Sequence, residues 1–216
     1  MTLASKPCSS ESVVDEIMKV FLSGVLNKLS SISDESKRYL YFIAWLNSEL
    51  EKRSLGRIII TGGFAVELYT ARIYRTMDVD IIAEGSSAAL VVEEFLKKFS
   101  EAIGRGYLPR YEILQLKSID IVSTTYRSSV EPTKVLVNGY VAYLEPVEEL
   151  IVKYLAGWKL HDSTEDRDKA LWLYMVWKEK VDREYLAKRA KEEGVLDYLE
   201  KLDEALSSEE TTGLHT

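Results

Sequence analysis

The stretch Arg57-Ile58-Ile59-Ile60-Thr61-Gly62-Gly63-Phe64-Ala65-Val66-Glu67-Leu68-Tyr69 changes character twice within a few turns of chain. Its first part, Arg57 to Thr61, is a β-branched run that predicts a short buried strand. The Gly62-Gly63 pair predicts a tight turn, and from Phe64 to about Arg72 the apolar residues return to helical spacing. Two readings of the glycines stand at this point. Bare backbone N–H groups at the positive amino end of a helix receive phosphate oxygens well. A turn that needs positive φ selects glycine equally well.

Downstream, Asp78-Val79-Asp80-Ile81-Ile82 interleaves two acids with apolar residues. Residues two apart on a strand share a face, so Asp78 and Asp80 project together while Val79 and Ile81 enter a core. Two like charges held so close repel unless a cation lies between them, or unless the strand edge is solvated. A third acid, Asp120, sits inside Ser118-Ile119-Asp120-Ile121-Val122. A carboxylate within an apolar strand is costly without a partner. Either it faces water on an edge strand, or it joins Asp78 and Asp80 in a three-carboxylate cluster.

Composition limits the chemistry. The chain has 216 residues, 46% apolar and 29% charged, which are the proportions of an ordinary globular protein. Cys8 is the only cysteine, and His161 and His215 are the only histidines. Thiolate zinc cages and histidine-rich metal sites are therefore excluded, and a metal would need oxygen ligands, which selects Mg²⁺ or Mn²⁺. The amino terminus lacks the apolar core of a signal peptide, and no apolar run approaches a membrane span, so the expected location is the cytoplasm with no membrane association. A net charge of −7 argues against a broad nucleic-acid footprint.

The remaining periodicities organise the chain into an N-terminal helical segment (1–55), a core of strands and helices (56–145) and a C-terminal helical segment (146–216). Helices are predicted from Ser10 to about Leu29 and from about Asp34 to Lys52, the latter capped by Ser33. Another is expected from Ser86 to Ile103, and strands at Tyr111–Leu116 and Ile119–Ser123. Asn138-Gly139 between apolar flanks predicts a hairpin over 134–143. Helices follow over 147–160, 166–180 and 182–206, with a polar, frayed tail from Ser207 to Thr216. Trp172, Tyr174 and Trp177 recur at helical spacing and are read as packing residues.

Taken in order, the strand, Gly62-Gly63, the helix, Asp78-Val79-Asp80 and the isolated Asp120 resemble the DNA polymerase β-like nucleotidyltransferase superfamily. Gly62-Gly63-Phe64-Ala65-Val66-Glu67-Leu68-Tyr69, with Arg72, Arg75-Thr76 and Asp78-Val79-Asp80-Ile81, looks like the small prokaryotic nucleotidyltransferases of abortive-infection and toxin–antitoxin type. Pro146, Glu148, Leu150, Ile151, Lys153 and Arg167-Asp168 match a second, less specific block, and the likeness spans about residues 56 to 170.

The resemblance implies an α+β fold, a mixed nucleotidyltransferase-type sheet flanked by helices. It implies transfer of a nucleoside monophosphate from an NTP to a hydroxyl acceptor: an RNA end, a protein or a small molecule. Asp78, Asp80 and Asp120 would be the catalytic and metal-binding acids, with Mg²⁺ or Mn²⁺ as cofactor. Gly62, Gly63, Arg72, Arg75 and Lys153 would hold the triphosphate, Lys153 being preferred to Lys159, and Glu67 would serve as an ion-pair partner. A homodimer or a cognate antitoxin is the implied partner. Many members carry Ser after the first glycine, whereas Gly63 has no hydroxyl, which leaves phosphate binding to backbone N–H groups aided by Thr61. The alternative is a non-catalytic nucleotide- or partner-binding module that keeps the fold.

Overall fold

Ile58, Ile59 and Ile60 are fully buried, as a β-branched run between polar segments requires, and they form an interior strand of a seven-stranded mixed sheet. The protein is described here by a computed structural model covering residues 10 to 212, so Cys8 and His215 lie outside the described residues. The strands are β1 (Arg57–Ile60), β2 (Asp78–Glu84), β3 (Ser100–Ile103), β4 (Gly106–Pro109), β5 (Ser118–Ser123), β6 (Thr133–Val137) and β7 (Tyr140–Leu144). Their order across the sheet is β3-β4-β5-β2-β1-β7-β6. β1 runs antiparallel to β2 and parallel to β7, and β2 runs parallel to β5. The fold class is α+β.

The helices are α1 (Ser10–Val20), α2 (Leu26–Ser30), α3 (Glu35–Glu51), α4 (Gly62–Tyr69), α5 (Ser86–Phe99), α6 (Val147–His161), α7 (Thr164–Trp177), α8 (Arg183–Glu192) and α9 (Leu196–Thr212). None of the described helices is long and apolar enough to cross a membrane. The chain forms two compact units. Among the described residues, one comprises 10–60, Met77–Arg127 and Thr133–Leu144; the other comprises Thr61–Thr76, Ser128–Pro132 and 145–212.

The first unit contains the whole sheet with α1, α2, α3 and α5. Its core is aromatic: Phe42 stacks on Phe99 at 5.0 Å, and Phe21 meets Phe99 edge-on at 5.1 Å. Between α1 and α2, Phe21–Val25 forms one π-helical turn, and the buried side chains of Phe21 and Val25 both belong to it. Asn47 is fully buried on α3; its Oδ1 accepts the Ile58 N–H at 2.7 Å and its Nδ2 donates to the Val141 carbonyl at 3.1 Å. Asn47→Ala strands both backbone groups, and a loss of about 2 kcal/mol in urea unfolding is expected.

Several local expectations are corrected. Asp34, not Ser33, caps α3, accepting the Lys37 N–H at 2.9 Å. The helix read over 86–103 ends at Phe99, and residues 100–109 form the β3–β4 hairpin although the apolar spacing continues to Ile103. No strand covers Tyr111–Leu116; a 3-10 turn at Glu112–Leu114 stands there. Side chains from α3 explain it: the Tyr39 hydroxyl donates to the Leu114 carbonyl, and Arg38 Nη1 donates to the Ile113 carbonyl at 2.9 Å. Carbonyls taken by side chains are not left for a neighbouring strand. Burial pushes the Tyr39 hydroxyl pKa well up, so it stays a donor.

In the second unit, the single helix read over 182–206 is two, α8 and α9, divided at Gly194 with φ of 69°. The tail read as frayed is helical in its backbone as far as Thr212, and residues 213–216 lie outside the described residues. Tyr174 is buried and its hydroxyl donates to Asp203 at 2.6 Å, while Trp177 Nε1 donates to the Tyr69 carbonyl at 2.8 Å. These aromatics pack α7 within its own unit, as read from their spacing.

Candidate active site

In the first unit, the parallel pairing of β2 with β5 places Asp78 beside Ser118 and Asp80 beside Asp120. Val79 and Ile119, one residue along on each strand, are fully buried, so the four polar side chains share the opposite face of the sheet. Asp78 is exposed, and Asp80 and Asp120 are half-buried. The Ser118 hydroxyl donates to Asp78 Oδ1 at 2.7 Å and lies 3.3 Å from Asp120 Oδ1. A hydroxyl has one proton, so it satisfies the nearer carboxylate more fully. Burial pushes the Asp120 carboxyl pKa up, the Asp78 charge pushes it further, and the Ser118 hydrogen bond offsets part of the rise.

Two neighbours define this face. The Ser118 N–H donates to the Met77 carbonyl at 3.0 Å, and fully buried Lys117 pairs with Glu35 at 3.2 Å, which together fix the start of β5. On β4, Gly106 lies across from Asp120 because Tyr107 pairs with Ile119. A Cβ on Gly106 would stand 1.8 Å from Asp120 Oδ1 and 3.1 Å from Ser118 Oγ. The Asp120 carboxylate therefore occupies the space a side chain at 106 would fill.

The donors on this face are all oxygen, which suits a hard divalent cation. Among the described residues, no three His, Cys, Asp or Glu side chains are grouped so as to hold a metal ion by themselves. Mg²⁺ needs fewer, since it is commonly bound by one or two carboxylates together with substrate phosphates. The Asp78–Asp120 pair, whose charges repel, fits that requirement.

In the second unit, Thr61 precedes α4, and Gly62 and Gly63 open it, Gly62 with φ of 61°. The left-handed conformation accounts for glycine at 62. At 63 the reason differs: a Cβ there would lie 3.1 Å from Thr76 Oγ1 and 3.2 Å from Thr76 Cβ. Thr76 is held by buried Glu67, whose Oε2 accepts its N–H at 3.0 Å. Serine at 63 would crowd that threonine. Arg72 and Arg75 lie on the loop after α4, where Ala71 and Arg72 are both left-handed, with φ of 49° and 73°.

Lys153, on α6, donates to Thr61 Oγ1 at 3.2 Å and lies 3.6 Å from Glu145 Oε2. It is thus gathered with the segment that leads into Gly62-Gly63. Lys159 is not: it pairs with Asp197 at 2.6 Å and donates to the Gly194 carbonyl at 2.8 Å.

No family model and no curated protein matches the sequence. Among solved structures, the chain is similar to an antigenic nucleotidyltransferase-like protein from Paracoccidioides brasiliensis, with 16% identity and a TM-score of 0.54, covering 81% of this chain and 93% of that one. The fold is nucleotidyltransferase-like. The antibiotic-resistance factor ANT(2'')-Ia in solution also matches, at 13% identity and a TM-score of 0.43 over 81% of this chain and 97% of that one. Its crystal structure with adenylyl-2''-tobramycin matches at 14% identity and a TM-score of 0.46 over 72% and 96%. The fold assignment rests on the first of these alone.

Within the nucleotidyltransferase-like fold, three residues that touch candidate residues of their own unit were not singled out from sequence. Ser118 lay in the stretch around Asp120, and its i, i+2 spacing to that acid was the available signal. Gly106 carried the usual mark of a strand glycine, close approach by a neighbour. Glu145 gave no signal, because Thr61, which donates to its carboxylate, is distant in sequence.

Proposed function

We propose that this protein is a metal-dependent nucleotidyltransferase that moves a nucleoside monophosphate from an NTP to a hydroxyl acceptor, an RNA end, a protein or a small molecule. The observation that carries the reading is the β2–β5 register, which sets Asp78, Asp80, Ser118 and Asp120 on one sheet face. Nothing in ordinary core packing calls for three acids there, and their repulsion is a standing cost without a cation.

Asp78 and Asp80 hold the divalent cation, Mg²⁺ or Mn²⁺, with Asp120 as a further ligand. When bound, the cation neutralises triphosphate charge and lowers the proton affinity of the acceptor hydroxyl. Asp120 accepts that hydroxyl's proton at a carboxylate oxygen. The hydroxyl oxygen forms a bond to the α-phosphorus, the bond from that phosphorus to the bridging oxygen breaks, and pyrophosphate leaves. Gly62, Gly63 and Lys153 bind the triphosphate, and Arg72 and Arg75 clamp its oxygens. Assignment to the toxin–antitoxin type, with a homodimer or antitoxin partner, is supported by the motif resemblance alone. A non-catalytic nucleotide-binding module is the second reading, favoured by the lack of three grouped ligands among the described residues.

The test is transfer from each of the four α-labelled NTPs, with Mg²⁺ or Mn²⁺, to total RNA, cell extract and small acceptors. Label moved to an acceptor supports the enzyme. Metal-dependent NTP binding in calorimetry without transfer supports the binding module. If neither transfer nor binding occurs, the nucleotide reading is wrong and only the fold remains.

A further inference from the structure

Glu145 joins the β7 end of the chain to α6, and its side chain is only 15% exposed. Its carboxylate accepts the hydroxyl proton of Thr61, the residue just before Gly62-Gly63. Its backbone carbonyl accepts the Tyr69 hydroxyl at 3.0 Å, so both ends of the residue are anchored to α4 and its approach. Thr61 stands at the N-cap position of α4 yet makes no side-chain cap bond, because its hydroxyl is turned to Glu145. Lys153 completes the triangle, 3.2 Å from Thr61 Oγ1 and 3.6 Å from Glu145 Oε2.

A hydroxyl and an ammonium converging on an oxyanion at the start of a helix is the environment of a bound phosphate, and here a carboxylate of the protein takes that place. We infer that Glu145 competes with nucleotide phosphate for Lys153 and Thr61, and so sets the affinity of the triphosphate subsite. The inference rests on the proposed function, since it assigns that subsite to Lys153.

The two partners differ in freedom. Glu145 is covered and held by Thr61, whereas the Lys153 side chain is half exposed and its ion pair is long. Such a pair is weak and yields to a stronger anion. Lys153 also lines a cavity of about 280 Å³ with Glu145, Val152 and Ala156, which gives it room to turn.

The experiment is calorimetric titration of the full chain with inorganic tripolyphosphate and Mg²⁺, comparing wild type, Glu145→Gln, Lys153→Ala and the double variant. Gln keeps an acceptor for Thr61 and removes only the charge. The expected result is tighter binding by Glu145→Gln, by about three- to ten-fold, with the gain lost in the Lys153→Ala background. Equal or weaker binding by Glu145→Gln, with wild type binding, overturns the inference and leaves the phosphate subsite standing. A gain that persists without Lys153 overturns the competition for Lys153. Failure of every folded variant to bind, wild type included, removes the subsite and the inference together. Thermal melting separates these outcomes from a structural role, for which Glu145→Gln would melt earlier without binding more tightly.

Discussion

Asp120→Asn is expected to lower nucleotidyl transfer by roughly 10³-fold, the range for loss of a positioned base, while the metal-free protein melts at a higher temperature than wild type. The two effects have one origin. Asp120 is half-buried beside Asp78, and its carboxyl pKa is raised by burial and by that neighbour's charge. A raised carboxyl pKa means that the ionised form is disfavoured by folding, so at neutral pH the charge at 120 destabilises the native state. Asn is close in size, still accepts from Ser118 and removes the repulsion. The measurements are initial rates with an α-labelled NTP, and melting in chelator-treated samples. Transfer within a few-fold of wild type would remove Asp120 from the chemistry. Unchanged activity with a lower melting temperature would make it a structural residue.

Gly106→Ala is expected to reduce transfer by roughly 10²-fold and stability by about 1–3 kcal/mol, the range for overpacking. The new Cβ would stand 1.8 Å from Asp120 Oδ1 and 2.9 Å from its Cγ, a separation no pair of atoms tolerates. The Asp120 side chain is short, so relief comes either from swinging the carboxylate off its position or from parting β4 and β5. Both outcomes displace the proposed base. A double-mutant cycle identifies the cause. Shortening the acid in Asp120→Ala removes the atoms that clash, and in that background Gly106→Ala should cost little further stability. Full activity in Gly106→Ala would show that the Asp120 position is not needed.

Much of the site was legible locally. Alternation at Asp78-Val79-Asp80 and at Ile119-Asp120-Ile121 placed these acids opposite the buried Val79 and Ile119, because strand periodicity is a property of the backbone. Glu67, expected as an ion-pair partner, is buried and accepts the Thr76 N–H, a backbone role that its charge did not announce. What misled was periodicity read without context. Tyr111–Leu116 has the composition of a strand, yet Tyr39 and Arg38 on α3 take its carbonyls. The apolar pattern of α5 carried past Phe99 into what is β3.

The absence of a hydroxyl at 63 shows the division most clearly. From sequence, Gly63 was a departure from the commoner serine, and nothing local accounted for it. In the structure, a Cβ at 63 would stand 3.1 Å from Thr76 Oγ1, so the neighbour leaves little room for a side chain there. By itself, the sequence determined most of the segments that alternate or coil and which acids share a strand face. Those properties follow from the backbone period and from side-chain chemistry, and both are local. Only the tertiary structure decided that β2 lies beside β5 with Asp80 level with Asp120, that Gly106 makes room for that acid, and that Glu145 reaches Thr61. Each of these joins residues far apart in the chain, where register and packing, not propensity, select the partner.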